Sequence, residues 1–481
     1  MMSSQEIRDA ISKALPAGTS NDDGELTKDA RWVYVPPSHI KALRLESNLV
    51  IGGRGVGKTF WSNALTNPAI RQALGKDVPD LSHVDVKAGF SLTPSNQQYP
   101  DAEVFSSLLS QGFSPADVWR AIVARCLCCE LNKSEMGGRW SECTAWLKND
   151  PEFFSMLLEE AEQHYAQRGS AILIVFDALD RTSNEWQKVD AIVRGLLQLV
   201  LQLKRYPHLH TKVFLREDQF RRKVTDFTDA SKILATRVEL TWASYDLHGL
   251  IWQYFCNASD SSGKVLREIY RSVVGNEPEK LPNGVWQLDA KVKKNEDIQR
   301  QLFIQIAGNW MGRDRRRGVP YTWSVGHLAD TRGLTSPRSF LCALRSAADD
   351  SRLHHAEHGI PLHYDSIKRG VLAASEIRVK EMAEDYPWVE TYMQPLRGIT
   401  VPCPFEAIEQ AWSNVTMPDS TASLPPENVT EGAQGVFADM KGLGIFETMK
   451  DGRVNMPDLY RVGFGLGRRG GVKPAKKSSD D

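Results

Sequence analysis

Short apolar runs and amphipathic stretches alternate over the first half of the chain, and the two patterns predict strands and helices. Residues 49–51 are apolar and precede a glycine-rich loop, and residues 83–88 alternate like a short strand. Residues 171–176 form a continuous apolar run, which is typical of a strand buried on both faces of a parallel sheet. Residues 211–216 and 237–240 predict two further strands, with helices between them. This order predicts a doubly wound α/β domain.

The second half of the chain has a different pattern. Helical periodicity dominates residues 245–349 and continues to residue 414, and a stretch rich in Pro, Ser and Thr follows. Near the C-terminus, residues 434–442 predict a helix, and two short apolar segments flank the hairpin signal Asp451-Gly452. Helices followed by a hairpin with a basic tip outline a winged-helix-like domain.

A glycine-rich loop directly follows the first predicted strand. Residues 52–59 match G-x-x-x-x-G-K-[ST], the Walker A pattern, between a strand and a helix as that pattern requires. Glycines allow a tight turn whose backbone N–H groups face phosphate oxygens, and the helix N-terminus adds donors. Lys58 is expected to reach the β- and γ-phosphates, and the Thr59 hydroxyl to ligate Mg²⁺. Against the alternative of a chance turn, these positions predict a nucleoside triphosphate site formed by Gly52, Gly53, Arg54, Gly55, Val56, Gly57, Lys58 and Thr59.

An acidic residue ends the longest apolar run. Asp177 follows residues 171–176, at the strand end where ligands bind in open α/β sheets. This is a Walker B signal, and it predicts that Asp177 holds Mg²⁺ through water. The alternative is a core strand with a capping aspartate, but the phosphate loop favours the metal-binding interpretation.

Arg216 ends a further predicted strand. At that tip it is expected either to touch the γ-phosphate or the attacking water, or to pair with Glu217 or Asp218 as a surface arginine. Farther along, Ser336 and Pro337 predict the start of a helix, with Arg338 on its first turn.

Together, residues 52–59 and the sequence Phe176-Asp177-Ala178-Leu179-Asp180-Arg181 resemble the STAND and KAP-like branch of P-loop ATPases, relatives of the AAA+ proteins. The likeness covers residues from about 30 to 350 and is specific at the two motifs. It implies an ATP-dependent switch with a helical lid, often with a winged helix and a partner effector, and frequently a role in bacterial phage defence. The predicted domains are residues 1–30 (N-terminal helix and linker), 31–243 (P-loop core), 244–350 (helical lid), 351–414 (helical region), 415–430 (linker), 431–467 (winged-helix-like end) and 468–481 (basic tail).

The same resemblance suggests roles for the arginines and marks one departure. Arg216 would match the sensor 1 position, and Arg338 the sensor 2 arginine of the lid. The usual second acid after Asp177 is replaced by Ala178, so Asp180 is predicted as the general base that orients the attacking water. Alternatively, Asp180 pairs with Arg181 as a cap and hydrolysis is slow. ATP is favoured over GTP because no N-K-x-D motif follows the Walker B strand.

Composition excludes several classes of protein. The chain of 481 residues is 41% hydrophobic, with a formal net charge of −1, so contacts to nucleic acid require local basic patches. No apolar run approaches the roughly 18 residues of a membrane span, and the N-terminus lacks a signal-peptide pattern, so a cytoplasmic location is expected. The spacing of four of the seven cysteines is not that of a usual zinc site, and small apolar core residues are the favoured interpretation: Cys126, Cys128, Cys129 and Cys143.

Partners are predicted from the basic segments. The hairpin tip and the C-terminal segment are candidates for DNA contact, with a solvated tail as the alternative. Residues 313–317 offer an arginine finger to a neighbouring copy in a homo-oligomer, or a solvated basic face. Two hypotheses follow: a Mg²⁺-dependent regulatory ATPase, or an ATP-gated DNA-binding or assembly module with little hydrolysis. The basic residues of the C-terminal segment are Arg461, Arg468, Arg469, Lys473, Lys476 and Lys477.

Overall fold

The chain forms two compact units, one of residues Asp23–Thr241 and one of residues Met1–Asp22 and Trp242–Asp481. We call them the α/β unit and the helical unit. Helix α1 (Ser4–Ala14) begins the chain but belongs to the helical unit. The structure, a computed structural model, describes residues 3–16, 29–75, 77–93, 95–183, 186–221, 223–415, 426–469 and 472–474.

A five-stranded parallel sheet forms the centre of the α/β unit. The strand order is β2-β3-β4-β1-β5. Strand β4 therefore lies between β1, which precedes the phosphate loop, and β3, which Asp177 follows. All five strands were predicted from the sequence pattern. Their bounds are β1 Leu49–Gly52, β2 Val84–Phe90, β3 Ala171–Phe176, β4 Leu209–Arg216 and β5 Arg237–Glu239.

Helices cover both faces of this sheet. Alternate residues of β3 enter different cores, with Ile172 and Ile174 on one face and Leu173 and Val175 on the other. Each buried side chain of this size contributes about 1.5–3 kcal/mol, so both faces need a helical layer. The helices of the α/β unit are α2 Ile40–Leu43, α3 Lys58–Thr66, α4 Pro68–Leu74, α5 Ala102–Ser110, α6 Pro115–Glu130, α7 Trp140–Asn149, α8 Pro151–Arg168, α9 Trp186–Leu203, α10 Glu217–Arg221 and α11 Ser231–Leu234.

Local sequence signals set several helix ends. Ser114 caps α6 in a reciprocal capping box with Asp117, and Pro115 takes the first helical position. Gly169 ends α8 in the left-handed conformation, at φ 59°. Helices therefore form between the strands, as the sequence predicts.

A fully buried lysine ties β4 to the segment before β1. Lys212 is 0% exposed, and its Nζ donates hydrogen bonds to the carbonyls of Ala42, Arg44 and Ser47 at 2.7, 2.9 and 2.6 Å. Burial lowers its pKa to about 7. The three N–H groups of the ammonium thereby satisfy carbonyls at the end of helix α2 and just after it, where the chain turns toward the sheet.

The helical unit is built from both ends of the chain. Helix α1 packs against α12, α13 and α17, and the buried guanidinium of Arg8 donates to the carbonyls of Ala356 and Pro361 at 2.6 and 2.8 Å. Helices α17 and α18 form a long packed pair. The helices of this unit after α1 are α12 Ser244–Asn257, α13 Asp260–Val274, α14 Ala290–Lys294, α15 Glu296–Ala307, α16 Pro320–His327, α17 Pro337–His354, α18 Tyr364–Asp385, α19 Pro387–Met393, α20 Phe405–Trp412, α21 Gly432–Gly442 and α22 Asp458–Arg461.

A short hairpin interrupts the stretch predicted as helical throughout. Strands β6 (Glu279–Lys280) and β7 (Trp286–Gln287) pair antiparallel. The turn contains Asn283-Gly284, with Gly284 at φ 83°. Asn-Gly is a strong hairpin signal, so the sequence did carry this information.

The C-terminal part contains the predicted hairpin. Strands β8 (Glu447–Thr448) and β9 (Val454–Asn455) pair antiparallel around a turn in which Gly452 has φ 82°. Cys403 adds an antiparallel bridge to Val454, and helix α21 precedes the hairpin. The predicted α/β class is confirmed, and the C-terminal helix and hairpin have a winged-helix-like order. Of the predicted linker, residues 416–425 lie outside the described residues.

One residue of the predicted basic C-terminal segment is not on the surface. Arg461 is 0% exposed, and its guanidinium bonds to Asp458 at 2.7 Å and to the carbonyls of Leu466 and Val472 at 2.9 and 2.6 Å. Its charge therefore stabilises the fold and is not available to a phosphate backbone. Lys476 and Lys477 lie outside the described residues.

Candidate functional site

The phosphate loop links β1 to helix α3 in the α/β unit. Gly55 and Gly57 have φ values of 76° and 101°, a region that residues with side chains rarely adopt. A Cβ on Gly52 would lie 2.6 Å from a methyl carbon of Val56, so the loop is closed on itself here. Gly57 is the N-cap of α3, which leaves backbone N–H groups at the helix start with no intrahelical partner.

Lys58 is the first residue of α3, and its side chain turns back over the loop. Its Nζ donates to the carbonyls of Gly52 and Gly53 at 2.9 and 2.7 Å. Burial, and next the charge of Arg216, lower the pKa of Lys58 to about 8, while the Asp177 carboxylate opposes that shift.

Asp177 lies at the end of β3 and meets Thr59. Asp177 is 3% exposed, its backbone N–H donates to the carbonyl of Phe90 at 2.9 Å, and the Thr59 side chain lies beside its carboxylate. Burial raises the pKa of Asp177 to about 6, against the lowering effects of Lys58 and Thr59. The two side chains predicted to hold a metal ion are thus adjacent.

The carboxylate of Asp177 has capacity for a further partner. Among the described residues its Oδ2 is buried and has no hydrogen-bond partner, a condition that native proteins usually reserve for functional groups. Within the same residues, no group of three or more His, Cys, Asp or Glu side chains could hold a metal ion. Mg²⁺ at phosphate sites needs only one or two protein oxygens beside phosphate and water. A Thr59 hydroxyl and an Asp177 carboxylate fit that requirement.

The chain turns sharply after Asp177. Ala178 is in the left-handed conformation at φ 56° and ψ 36°, and residues Leu179–Arg181 form a single 3-10 turn. This turn leaves the Asp180 side chain about a quarter exposed, with its Oδ2 3.8 Å from Nη1 of Arg216. Asp180 is therefore ion-paired across the sheet edge with Arg216.

Arg216 ends β4 in register with Gly52 of β1. Its Nε donates to Asp218 at 3.1 Å, and its backbone N–H donates to the Oε1 of Gln219 at 3.0 Å. The predicted pairing with Asp218 is present, and so is the position beside the phosphate loop. The arrangement is therefore compatible with both alternatives for Arg216, the pairing with Asp218 and a contact with the γ-phosphate or the attacking water.

Gln219 is a residue that sequence reasoning missed. It is 1% exposed, and its Nε2 has no hydrogen-bond partner among the described residues. The available signal was a polar residue three positions beyond a strand end.

Arg338 belongs to the helical unit. Ser336 caps helix α17 and Pro337 opens it, as the sequence predicts. The Arg338 guanidinium is ion-paired with Glu381 of α18 at 2.9 Å. Its predicted part in the nucleotide site stays a prediction.

His39 was also missed, although it contacts the helix of the phosphate loop. It is fully buried; its Nδ1 accepts from the indole N–H of Trp61 at 3.0 Å, and its Nε2 lies 3.1 Å from the carbonyl of Thr241. An indole nitrogen only donates, so Nε2 carries the proton and donates to Thr241. Burial lowers the pKa of His39 to about 4, which keeps the ring neutral.

The cysteines of the α/β unit are free thiols in the described structure. Burial raises the pKa of Cys126 to about 12 and that of Cys128 to about 11. A zinc ligand is a thiolate, so a raised pKa opposes metal binding at these two positions.

No helix in the described parts of the chain has the length and apolar character needed to span a membrane.

Comparison with known proteins adds a limited likeness. No protein-family model and no curated protein matches the sequence. Among solved structures, the Aeropyrum pernix ORC2 protein with ADPNP and ADP aligns with a TM-score of 0.41 and 12% identity, over 89% of this chain and 93% of that one. The ADP form of that protein aligns with a TM-score of 0.30 and 11% identity, over 90% and 88%. Because both scores are below 0.5, the fold assignment rests on the sheet order and the phosphate loop: the α/β unit has a P-loop nucleotide-hydrolase fold.

Proposed function

We propose that the protein is a Mg²⁺-dependent ATPase whose nucleotide state drives a regulatory change between the α/β unit and the helical unit. One observation carries this proposal: the Thr59 side chain lies beside the Asp177 carboxylate, and one buried oxygen of Asp177 has no partner among the described residues. Lys58 begins the same helix turn as Thr59. These are the groups that hold Mg²⁺ and the phosphates in P-loop enzymes.

The residues around this centre have separate roles in the proposal. The loop N–H groups of residues 52–59 and the Lys58 ammonium bind the β- and γ-phosphates, and bound Mg²⁺ neutralises charge on the phosphoryl group. Asp180 accepts the proton of the attacking water, and Arg216 orients Asp180 and stabilises developing negative charge. Arg338 completes the site as a lid residue, a role that rests on the resemblance alone.

The biological setting follows from the resemblance to STAND and KAP-like ATPases. That resemblance favours a cytoplasmic switch that works beside a protein effector in bacterial phage defence. It is limited to the two motifs, so the ATPase chemistry is the part of the proposal that the geometry supports.

A second candidate function belongs to a different class. The chain would bind ATP as a gate for DNA binding or assembly and hydrolyse it very slowly. The observation that favours it is Ala178, which stands where the usual second acid is found, together with the Asp180–Arg216 ion pair that engages the remaining carboxylate.

Steady-state ATP hydrolysis with Mg²⁺ separates the two candidates. We expect the wild type to turn over and Asp180→Asn to lose about 100-fold in kcat, since a general base contributes that much or more. ATP affinity, measured with a fluorescent analogue, stays within about twofold because Asp180 does not contact the phosphates in this mechanism. A wild type that binds ATP but shows no turnover, with or without duplex DNA, would establish the gate instead.

Asp218→Asn is the matched control. Asp218 also contacts Arg216 but lies one strand away from Asp177, so its loss disturbs the arginine without removing the base. We expect a decrease of less than about tenfold. Equal losses in the two variants would mean that both acids only position Arg216, and the assignment of Asp180 as base would fail.

A further inference from the structure

A basic loop joins helices α15 and α16 in the helical unit. Residues 313–317 read Arg-Asp-Arg-Arg-Arg, and all five are exposed. Trp310, three positions earlier, is 39% exposed, although Trp is usually well buried. We call residues 309–318 the arginine loop.

The arginine loop is ordered by its own contacts. Met311, 2% exposed, anchors its start, and the Met311 N–H donates to the carbonyl of Gly318 at 2.9 Å. Asp314 accepts from the backbone N–H of Arg316 at 2.8 Å. A Cβ on Gly312 would lie 3.0 Å from Cγ of Arg317, so the backbone packs closely on that side-chain stem. Binding to such a loop needs little further ordering.

The arginine loop carries four arginines against one acid, Asp314. Within the described residues, none of the four arginines forms an ion pair with a carboxylate, and the Oδ1 of Asp314 is engaged by the backbone. The hairpin tip differs, because Arg453 is bonded to Asp451 at 2.8 Å. Since the whole chain has a formal net charge of −1, the arginine loop is a concentrated positive site on a neutral protein.

We propose that the arginine loop binds single-stranded nucleic acid. Guanidinium groups bond to phosphate oxygens, and an unpaired base stacks on the Trp310 indole. Duplex nucleic acid satisfies only the arginines, because its bases are stacked on one another. This surface lies in another part of the sequence from the hairpin and C-terminal segment, and the inference does not depend on ATP hydrolysis.

The test is fluorescence anisotropy with a labelled single-stranded 20-mer, using the full chain. At ~100 mM salt we expect Arg315→Ala/Arg316→Ala to bind about tenfold more weakly. The slope of log affinity against log salt should fall by about 1.4, since each lost phosphate contact removes about 0.7. Trp310→Ala should weaken binding to the single strand about tenfold and leave duplex binding unchanged. Lys291→Ala/Lys294→Ala, at two exposed lysines of helix α14, is the matched control and should bind within about twofold of the wild type. Lys450→Ala/Arg453→Ala tests the hairpin tip separately.

Three outcomes would overturn the proposal. The wild type does not bind the single strand, the arginine variant binds with wild-type affinity and salt slope, or only the hairpin variant loses binding. A fourth outcome identifies the other use of the loop. If the arginine variant retains oligonucleotide binding but loses ATP turnover that depends on protein concentration, the loop is a finger for a neighbouring copy. Circular dichroism and nucleotide affinity establish that each variant is folded. ATP hydrolysis is measured in a separate assay, so a failure of the ATPase proposal is distinguished from a failure of this one.

Discussion

Two lysines in the α/β unit have similar environments and different expected roles. Nζ of Lys58 donates to two backbone carbonyls, and Nζ of Lys212 donates to three. Burial lowers both pKa values, to about 8 for Lys58 and about 7 for Lys212. A lowered pKa alone therefore does not distinguish a site from an anchor in this protein, although Lys212 is fully buried and Lys58 only partly.

The surroundings make the distinction. Lys58 faces Asp177, Asp180, Asp218 and Arg216, whose charges all act on its pKa. Around Lys212 the one charge that acts on its pKa is that of Glu46, and its donors all have acceptors. Near Lys58 there is a buried carboxylate oxygen without a partner among the described residues, and a left-handed alanine. An unsatisfied carboxylate oxygen and a strained backbone residue therefore occur beside several charges near Lys58, a combination typical of functional sites.

The largest expected effect comes from removing the functional lysine. Lys58→Ala should lower kcat for ATP hydrolysis by about 10³-fold, because about 4 kcal/mol of transition-state stabilisation on the phosphoryl oxygens is lost. The thermal unfolding midpoint should change by less than about 2 °C, because the released carbonyls of the loop are partly exposed to water. Initial-rate assays and scanning calorimetry measure the two quantities. Hydrolysis within tenfold of the wild type would remove the distinction between the two lysines.

Replacing the anchoring lysine should give the opposite result. Lys212→Met keeps most of the side-chain volume but leaves three carbonyls without donors, so the α/β unit should lose about 3 kcal/mol of stability at about 1 kcal/mol per hydrogen bond. Hydrogen–deuterium exchange of peptides from β1 and β4 reports the stability of this unit separately from the helical unit. ATP affinity should be unchanged where the variant is folded.

Lys204→Met is the matched control for that variant. Lys204 is exposed and its Nζ also donates to a carbonyl, that of Lys232 at 2.6 Å. Water replaces this donor in the variant, so we expect the free energy of unfolding to fall by less than about 0.5 kcal/mol. Equal losses for the two lysines would show that burial of Lys212 adds nothing.

The smallest expected effect is a pH dependence. The pKa of Lys212 is lowered from 10.5 to about 7 in the folded protein and returns to 10.5 on unfolding. Between these values the unfolded chain binds more protons. The free energy of unfolding of the wild type should therefore rise with pH relative to Lys212→Met, by at most about 1.4 kcal/mol per unit. Below pH 7 both states hold the proton and the difference is constant. Urea unfolding at pH 7, 8 and 9 measures the difference in free energy of unfolding between the wild type and Lys212→Met. A difference that shrinks as the pH rises would contradict the lowered pKa.

The sequence predicted the sheet because its signals are local. A buried parallel strand is a continuous apolar run, and a phosphate loop has fixed glycines and a fixed lysine, so β1, β3 and residues 52–59 could be located without long-range information. The meeting of Thr59 and Asp177 was expected for the same reason, since both follow strands of one parallel sheet.

Features that depend on burial and tertiary packing were not predictable. The sequence around Arg461 reads as a basic surface, and although its three partners lie within eleven residues along the chain, no motif indicates that its side chain is buried. His39 precedes the phosphate loop by more than a dozen residues and has no motif, so its bond to Trp61 could not be inferred. Asp180 was expected beside Asp177 or paired with Arg181, and its partner came from a separate strand.

The position of helix α1 in the sequence has a consequence for how the chain folds during synthesis. Its buried residues, including Ile7 and Ile11, pack in a unit whose remaining residues begin at Trp242, and the carbonyls that accept from Arg8 lie about 350 residues after it. At the usual ~5–20 residues per second of synthesis, those partners emerge roughly 20–70 s after α1 does. The α/β unit is complete by Thr241 and is free to fold on the ribosome while α1 still waits with its apolar side uncovered. The interval makes the first fifteen residues a natural contact for a chaperone during translation.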